Sequence, residues 1–176
     1  MEKTLIKTVT IGSLLSFVCL SILGCCLITL SSLVKIPFYP VSFTLQTLAI
    51  FILAFTQSPK LAFGSAICYL ISATIGLPVL CGASNPLWML GKSGGYLVAF
   101  PIAAYLISRI SQKHSPFLAV LCGQIVIYLL GFIWLIPFFG VSIAWKSGVV
   151  FFIPGGLLKC LIAIGIAVIW KKWRKL

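Results

Sequence analysis

Between Leu157 and Trp170 every residue is apolar or small except Lys159, and the run closes in Trp-Lys-Lys-Trp-Arg-Lys at 170–175. An apolar run bounded by indole and basic side chains marks a helix leaving a bilayer at its interface. About 16 Å of helix separates Lys159 from Trp170 at roughly 1.5 Å per residue, which places the ammonium near mid-depth. A charge there costs about 2.5–3.5 kcal/mol on insertion scales, and such residues face a cavity or a partner. The chain has one acidic residue, Glu2, and no Asp. No side chain therefore neutralises Lys159. Either the amine is neutral or snorkels to water or headgroups, or its counter-ion arrives from outside as an anionic ligand.

The preceding backbone favours the ligand. Pro154 lacks an N–H and Gly155 and Gly156 add backbone freedom, so a helix kinks or restarts here. In lipid, broken backbone is tolerated only where it is buried in protein or lines a wet cavity. A restarted helix also aims its N-terminal N–H groups at the break, one turn from Lys159. A proline kink satisfied by a neighbouring helix is the plainer account.

Other apolar runs recur along the 176 residues, which are 61% hydrophobic and 8% charged, with mean hydropathy +1.22. At roughly 20 residues per span, six spans is the natural count for an all-α integral membrane protein forming one domain over 1–176. The expected spans are 9–34, 44–57, 61–77, 94–110, 116–136 and 149–170. The net charge of +12 comes from basic residues placed singly between apolar runs, so it reports topology and not nucleic-acid binding. Seven cysteines without a C-x-x-C pair read as packing residues. His114 is the only histidine. Metal sites, paired-acid hydrolysis, two-metal catalysis and carboxylate proton relays lack the residues they need. Gly91-Lys-Ser93 has the end of a phosphate-binding loop, but Pro86 stands where that motif needs glycine.

Three connections stand out. Lys35 to Thr47 has two prolines three apart and carries Phe38, Tyr39 and Phe43, either as an interfacial belt or as a lid, with Thr44 and Gln46 offering polar contacts. Cys81 to Tyr96 is long and glycine-rich, with the chain's only Asn, Asn85, and the amphipathic Trp88; loops of this length are usually functional or disordered, and this one is too apolar to be disordered. Ile136 to Ser142 echoes Ile36 to Ser42, as two similar loop solutions and not as a duplication. In the first span, Gly12 and Ser16 have the small-xxx-small spacing that admits a second helix.

Lys3, Lys7, Lys60, Arg109, Lys113, Lys171, Lys172, Arg174 and Lys175 fall on one side of this arrangement, and Lys35, Lys92 and Lys146 on the other. The excess makes both termini cytoplasmic. The three aromatic, Gly/Pro-rich loops then lie outside, above Lys159. Together they describe a capture site for an amphipathic anion: its body among Phe38, Tyr39, Phe43, Trp88 and Tyr96, its carboxylate on Lys159.

The motifs I-P-F-Y-P-V-S-F-T-L-Q-T-L at 36–48, G-L-P-V at 76–79, G-K-S-G-G-Y-L at 91–97 and I-P-G-G-L-L-K at 153–159 resemble, in order and spacing, the signatures of the BioY family. The resemblance covers most of 36–160. It implies a six-span, substrate-binding component of an energy-coupling-factor transporter in a bacterial cytoplasmic membrane. Such a component binds biotin near the outer face and works with a membrane coupling subunit and two ATPases. Some members are thought to work without that module. It implies no cofactor and no enzymatic activity, and gives Gly12 and Ser16 a role facing the partner. Two motifs depart from the family pattern: Gly156 stands where Asp is usual, and Lys92 and Ser93 replace Pro and Thr. The missing acid is a contact to the biotin rings or a partner for Lys159. Asn85, whose amide both donates and accepts, is the candidate ureido contact.

A stand-alone carrier and a binding subunit for another small amphipathic carboxylic acid remain alternatives. A membrane enzyme finds no second acid or intramembrane His, and a structural scaffold leaves Lys159 and the three loops unexplained.

Overall fold

The computed structural model describes residues 2–37 and 39–173, with side chains from Ser13 onward. Six helices carry the chain: α1 Glu2–Leu33, α2 Gln46–Thr56, α3 Pro59–Thr74, α4 Gly94–Ser111, α5 Pro116–Gly148 and α6 Ile153–Trp173. The only strands among the described residues are two of two residues each, β1 Lys35–Ile36 and β2 Phe43–Thr44. They pair antiparallel, Lys35 with Thr44 and Ile36 with Phe43. Helices dominate because a backbone in lipid must satisfy its polar groups internally.

Three stretches are long and apolar enough to cross a membrane: Ser13–Leu33, Gly94–Ser111 and Pro116–Trp173, the last shared by α5 and α6. The protein is an integral membrane protein. α2, at 11 residues, is shorter than a full crossing.

α4 is the hub, packed on α2, α3 and α5, while α1 lies mainly on α3, and α6 touches α2 and α5. Its Ala99, Ala103, Ala104 and Ile107 are fully buried, a helical stripe of mostly small residues that lets neighbouring helices approach closely. Gly131 on α5 leaves the space that the Tyr96 ring of α4 fills. On α6 the buried positions are Gly156, Lys159, Ala163 and Ala167, a single stripe at helical spacing. Lys159 therefore points inward with the alanines.

One expectation needs correcting. Ile136 to Ser142 is not a loop like 36–42: α5 runs through Pro137 and changes direction only at Gly140, whose φ of 74° and ψ of 166° are not helical. Only glycine adopts that region at low cost. Of the kink or restart expected around Pro154, the structure has a helix start. Val150–Phe152 forms one 3-10 turn and α6 begins at Ile153, with Pro154 at the second position, where its missing N–H forfeits no helical bond.

One end of the bundle thus gathers the β1–β2 hairpin, the 75–93 connection, the end of α5 and the start of α6. The 75–93 connection is ordered by turns at Gly76 (φ 86°), Cys81 (φ 55°) and Gly82 (φ 78°) and by a 3-10 turn at Trp88–Leu90.

Candidate functional site: a cavity around Lys159

A cavity of about 390 Å³ lies at that end, within the roughly 300–1,000 Å³ of small-molecule sites. The hairpin supplies Phe43 and Thr44, the 75–93 connection Cys81 and Asn85, α4 Tyr96 and Phe100, α5 Gln124 and Tyr128, and α6 Gly156 and Lys159.

Lys159 is 5% exposed. Its Nζ donates to the Thr44 carbonyl at 2.5 Å and to Thr47 Oγ1 at 3.0 Å, and sits 3.7 Å from the centroid of the Phe43 ring. These partners are neutral. An ammonium has three donors, so one N–H is left for the cavity, together with the whole charge. The cation is held but not neutralised.

The hairpin residues that hold it are themselves tied down. Thr44 Oγ1 donates to Gln46 Oε1 at 2.8 Å, the Gln46 amide donates to Tyr69 Oη, and Tyr69 Oη donates to the Val79 carbonyl at 3.2 Å. Ser32 Oγ also donates to the Val79 carbonyl and accepts from the Cys81 N–H. One polar chain thus links α1, α3, the hairpin and the 75–93 connection. Gln46 and Thr44 position the site, with much of their hydrogen-bonding capacity already used. Burial pushes the Cys81 thiol up, against the pull of the Lys35 cation, so this lining residue stays neutral.

The opposite wall is aromatic. Tyr96 Oη donates to the Gly148 carbonyl at 2.6 Å and Tyr128 Oη to the Phe152 carbonyl at 2.7 Å, pinning the corner between α5 and α6. Phe152 stacks on Phe43 at 5.9 Å and lies tilted against Tyr96 at 6.1 Å. A Cβ on Gly155 would enter the Phe43 ring, and one on Gly156 would meet the Tyr128 hydroxyl. The space that a side chain at position 156 would take is therefore occupied by the Tyr128 phenol.

Of the residues singled out from sequence, Lys159, Gly156, Thr44, Gln46, Phe43, Tyr96 and Asn85 line this cavity. Trp88 does not: it is 3% exposed, and its indole N–H donates to Thr74 Oγ1 at 3.0 Å beneath the loop. Tyr39 is 68% exposed and stands outside the lining, edge-on to Phe139 with Lys92 Nζ 4.5 Å above its ring. Lys92 itself reaches the rim of the cavity. Phe38 lies outside the described residues, as do the surroundings of Gly12; Ser16 is exposed on α1. Sequence reasoning passed over Gln124 and Tyr128. Their signal was present, two polar groups four apart in the apolar run of α5, which share one helix face.

A helical membrane bundle with a mostly apolar cavity and one unneutralised buried cation defines a small-molecule binding component. Its particular kind follows from comparison. The chain belongs to the BioY family, whose model matches residues 3–175. It is 34% identical over 148 residues to the probable biotin transporter BioY of Rickettsia prowazekii, covering 80% of this chain and 76% of that one. It is 36% identical over 135 residues to the probable biotin transporter BioY of Pyrococcus horikoshii, covering 76% and 83%. The crystal structure of the S-component for biotin from an ECF-type ABC transporter superposes with a TM-score of 0.76 at 28% identity, over 94% of each chain.

Proposed function

We propose that this protein is a biotin-uptake component: it captures biotin from the outer side of a bacterial cytoplasmic membrane and is not an enzyme. The observation that carries the reading is Lys159, a buried cation held only by neutral groups in a cavity otherwise mostly apolar, within a family whose relatives are biotin transporters. The biotin carboxylate meets the free N–H of Lys159. The fused rings and valeryl chain lie against Phe43, Tyr96 and Phe152, and Asn85, Gln124 and Tyr128 offer polar contacts to the ureido group. A charge-assisted pair of this kind in a low-dielectric site gives both affinity and orientation.

In this reading the chain crosses six times as one domain, the 11-residue α2 being the short crossing, both termini are cytoplasmic, and the loop end faces outward. Capture supplies no energy. A separate coupling module, a membrane subunit with two ATPases, drives release inward, with Gly12 and Ser16 on the helix facing it, and no cofactor is involved. Saturable binding of labelled biotin to the purified protein tests the capture step. Biotin competing well and biotin methyl ester poorly supports it; absence of binding by folded protein sends the search to other small carboxylic acids. Uptake in a host without coupling ATPases tests the module: no flux supports it, and sustained flux replaces it with a stand-alone carrier.

A further inference from the structure

A second cavity, of about 1110 Å³, opens at the opposite end of the bundle, where the α2–α3 turn, the end of α4 and the end of α6 meet. Two hydrogen bonds fix its shape. Ser108 Oγ donates to the Gln57 carbonyl at 2.8 Å, tying α4 to the turn. Lys171 Nζ donates to the Ser111 carbonyl at 3.2 Å. The second bond stretches the Lys171 side chain across the gap from α6 to the last turn of α4, where carbonyls lack helical partners.

Two of the three Lys171 donors remain after that bond, and the exposed Lys172 stands next to it on the lining. No Asp or Glu lines the cavity, and Glu2 is the only acidic side chain in the sequence. Phe55, Val168 and Trp170 complete the wall as an apolar strip beside the two ammonium groups. Trp170 followed by Lys171 is the aromatic and basic pair that marks headgroup depth on a membrane helix. Anionic charge and acyl chain thus find complementary surfaces side by side. A free anion uses only the first, and a zwitterionic lipid has no net charge to offer the lysines.

We propose that this cavity holds the headgroup of an anionic phospholipid, its phosphodiester between Lys171 and Lys172 and its glycerol and upper acyl chains along Phe55, Val168 and Trp170. Basic pockets between membrane helices favour such headgroups, at about fivefold in binding per lysine near the surface. The lipid then staples α6 to α4 and the α2–α3 turn, at the end away from the Lys159 cavity.

Native mass spectrometry of the purified protein with added phosphatidylglycerol or phosphatidylcholine tests this, on wild type, Lys172→Gln and Lys171→Gln/Lys172→Gln. Each variant must first show the helical content and unfolding temperature of wild type, as proof of folding. Lys172→Gln leaves the Lys171–Ser111 bond intact and carries the test if the double variant does not fold. Retention of phosphatidylglycerol over phosphatidylcholine, falling about fivefold with each lysine removed and resisting inorganic phosphate, is the expected result. Equal retention of both lipids, or undiminished phosphatidylglycerol on the variants, overturns it. Displacement by inorganic phosphate makes the site one for the free anion. Absence of lipid, with the variants losing a co-expressed coupling subunit, makes the cavity a protein-docking surface.

Discussion

Replacing Lys159 with methionine removes the ammonium while keeping a flexible side chain of similar length. The folded protein loses two hydrogen bonds, to the Thr44 carbonyl and Thr47 Oγ1, and the contact with the Phe43 ring. At about 1.5–3 kcal/mol for each bond from a charged donor and roughly 0.5–2 kcal/mol for the ring, that is a loss of about 3.5–8 kcal/mol. Against it stands relief of the roughly 2.5–3.5 kcal/mol cost of a charge at membrane depth. The relief offsets part of the loss, so Lys159→Met should lower stability by up to about 5 kcal/mol. Ligand binding has no such compensation. A hydrogen bond between charged partners contributes about 1.5–3 kcal/mol, so biotin affinity should fall about 10- to 150-fold. Biotin methyl ester, which lacks the charge, should bind wild type and variant alike. Isothermal titration of both ligands on both proteins closes the cycle, and thermal unfolding checks the fold. Equal losses for acid and ester would mean that Lys159 shapes the cavity without meeting the carboxylate, and the reasoning would fail.

Gly156→Ala should push the Tyr128 hydroxyl off the Phe152 carbonyl and lower stability by about 1–3 kcal/mol, read as a drop in unfolding temperature. Adding Tyr128→Phe should recover part of that loss, because it removes the colliding atom. Tyr96→Phe leaves the buried Gly148 carbonyl without its 2.6 Å donor and should cost about 1–3 kcal/mol in the same assay. Lys92→Gln takes a cation from the rim, where it rests on the Tyr39 and Phe139 rings. It should slow biotin association more than it speeds dissociation, and should do so most at low salt, as stopped-flow binding would show.

Lys159 was legible from sequence because membrane depth makes a lone charge conspicuous without any structure. Its partners were not: Thr44 and Thr47 lie more than 110 residues away in the chain, and nothing local ties them to it. Trp88 illustrates the opposite error. A tryptophan in a glycine-rich loop reads as a ligand platform, but its N–H found Thr74 and its ring found the core. The 136–142 segment was misread because Pro137 and Gly140 look like a loop in one dimension; the helical backbone continues through Pro137 up to the glycine. Gln124 and Tyr128 were missed through attention to breaks and charges, although neutral polar groups in an apolar run are informative for the same reason as Lys159.

Under the proposed function, biotin lies in this cavity with its carboxylate on Lys159. The most direct measurement is a structure of the purified protein with biotin bound. A carboxylate oxygen about 2.7–2.9 Å from Lys159 Nζ and the fused rings against Phe43 and Phe152 are the expected result. Biotin in the reverse orientation, its carboxylate at Lys92 and its ureido group at Lys159, would contradict it.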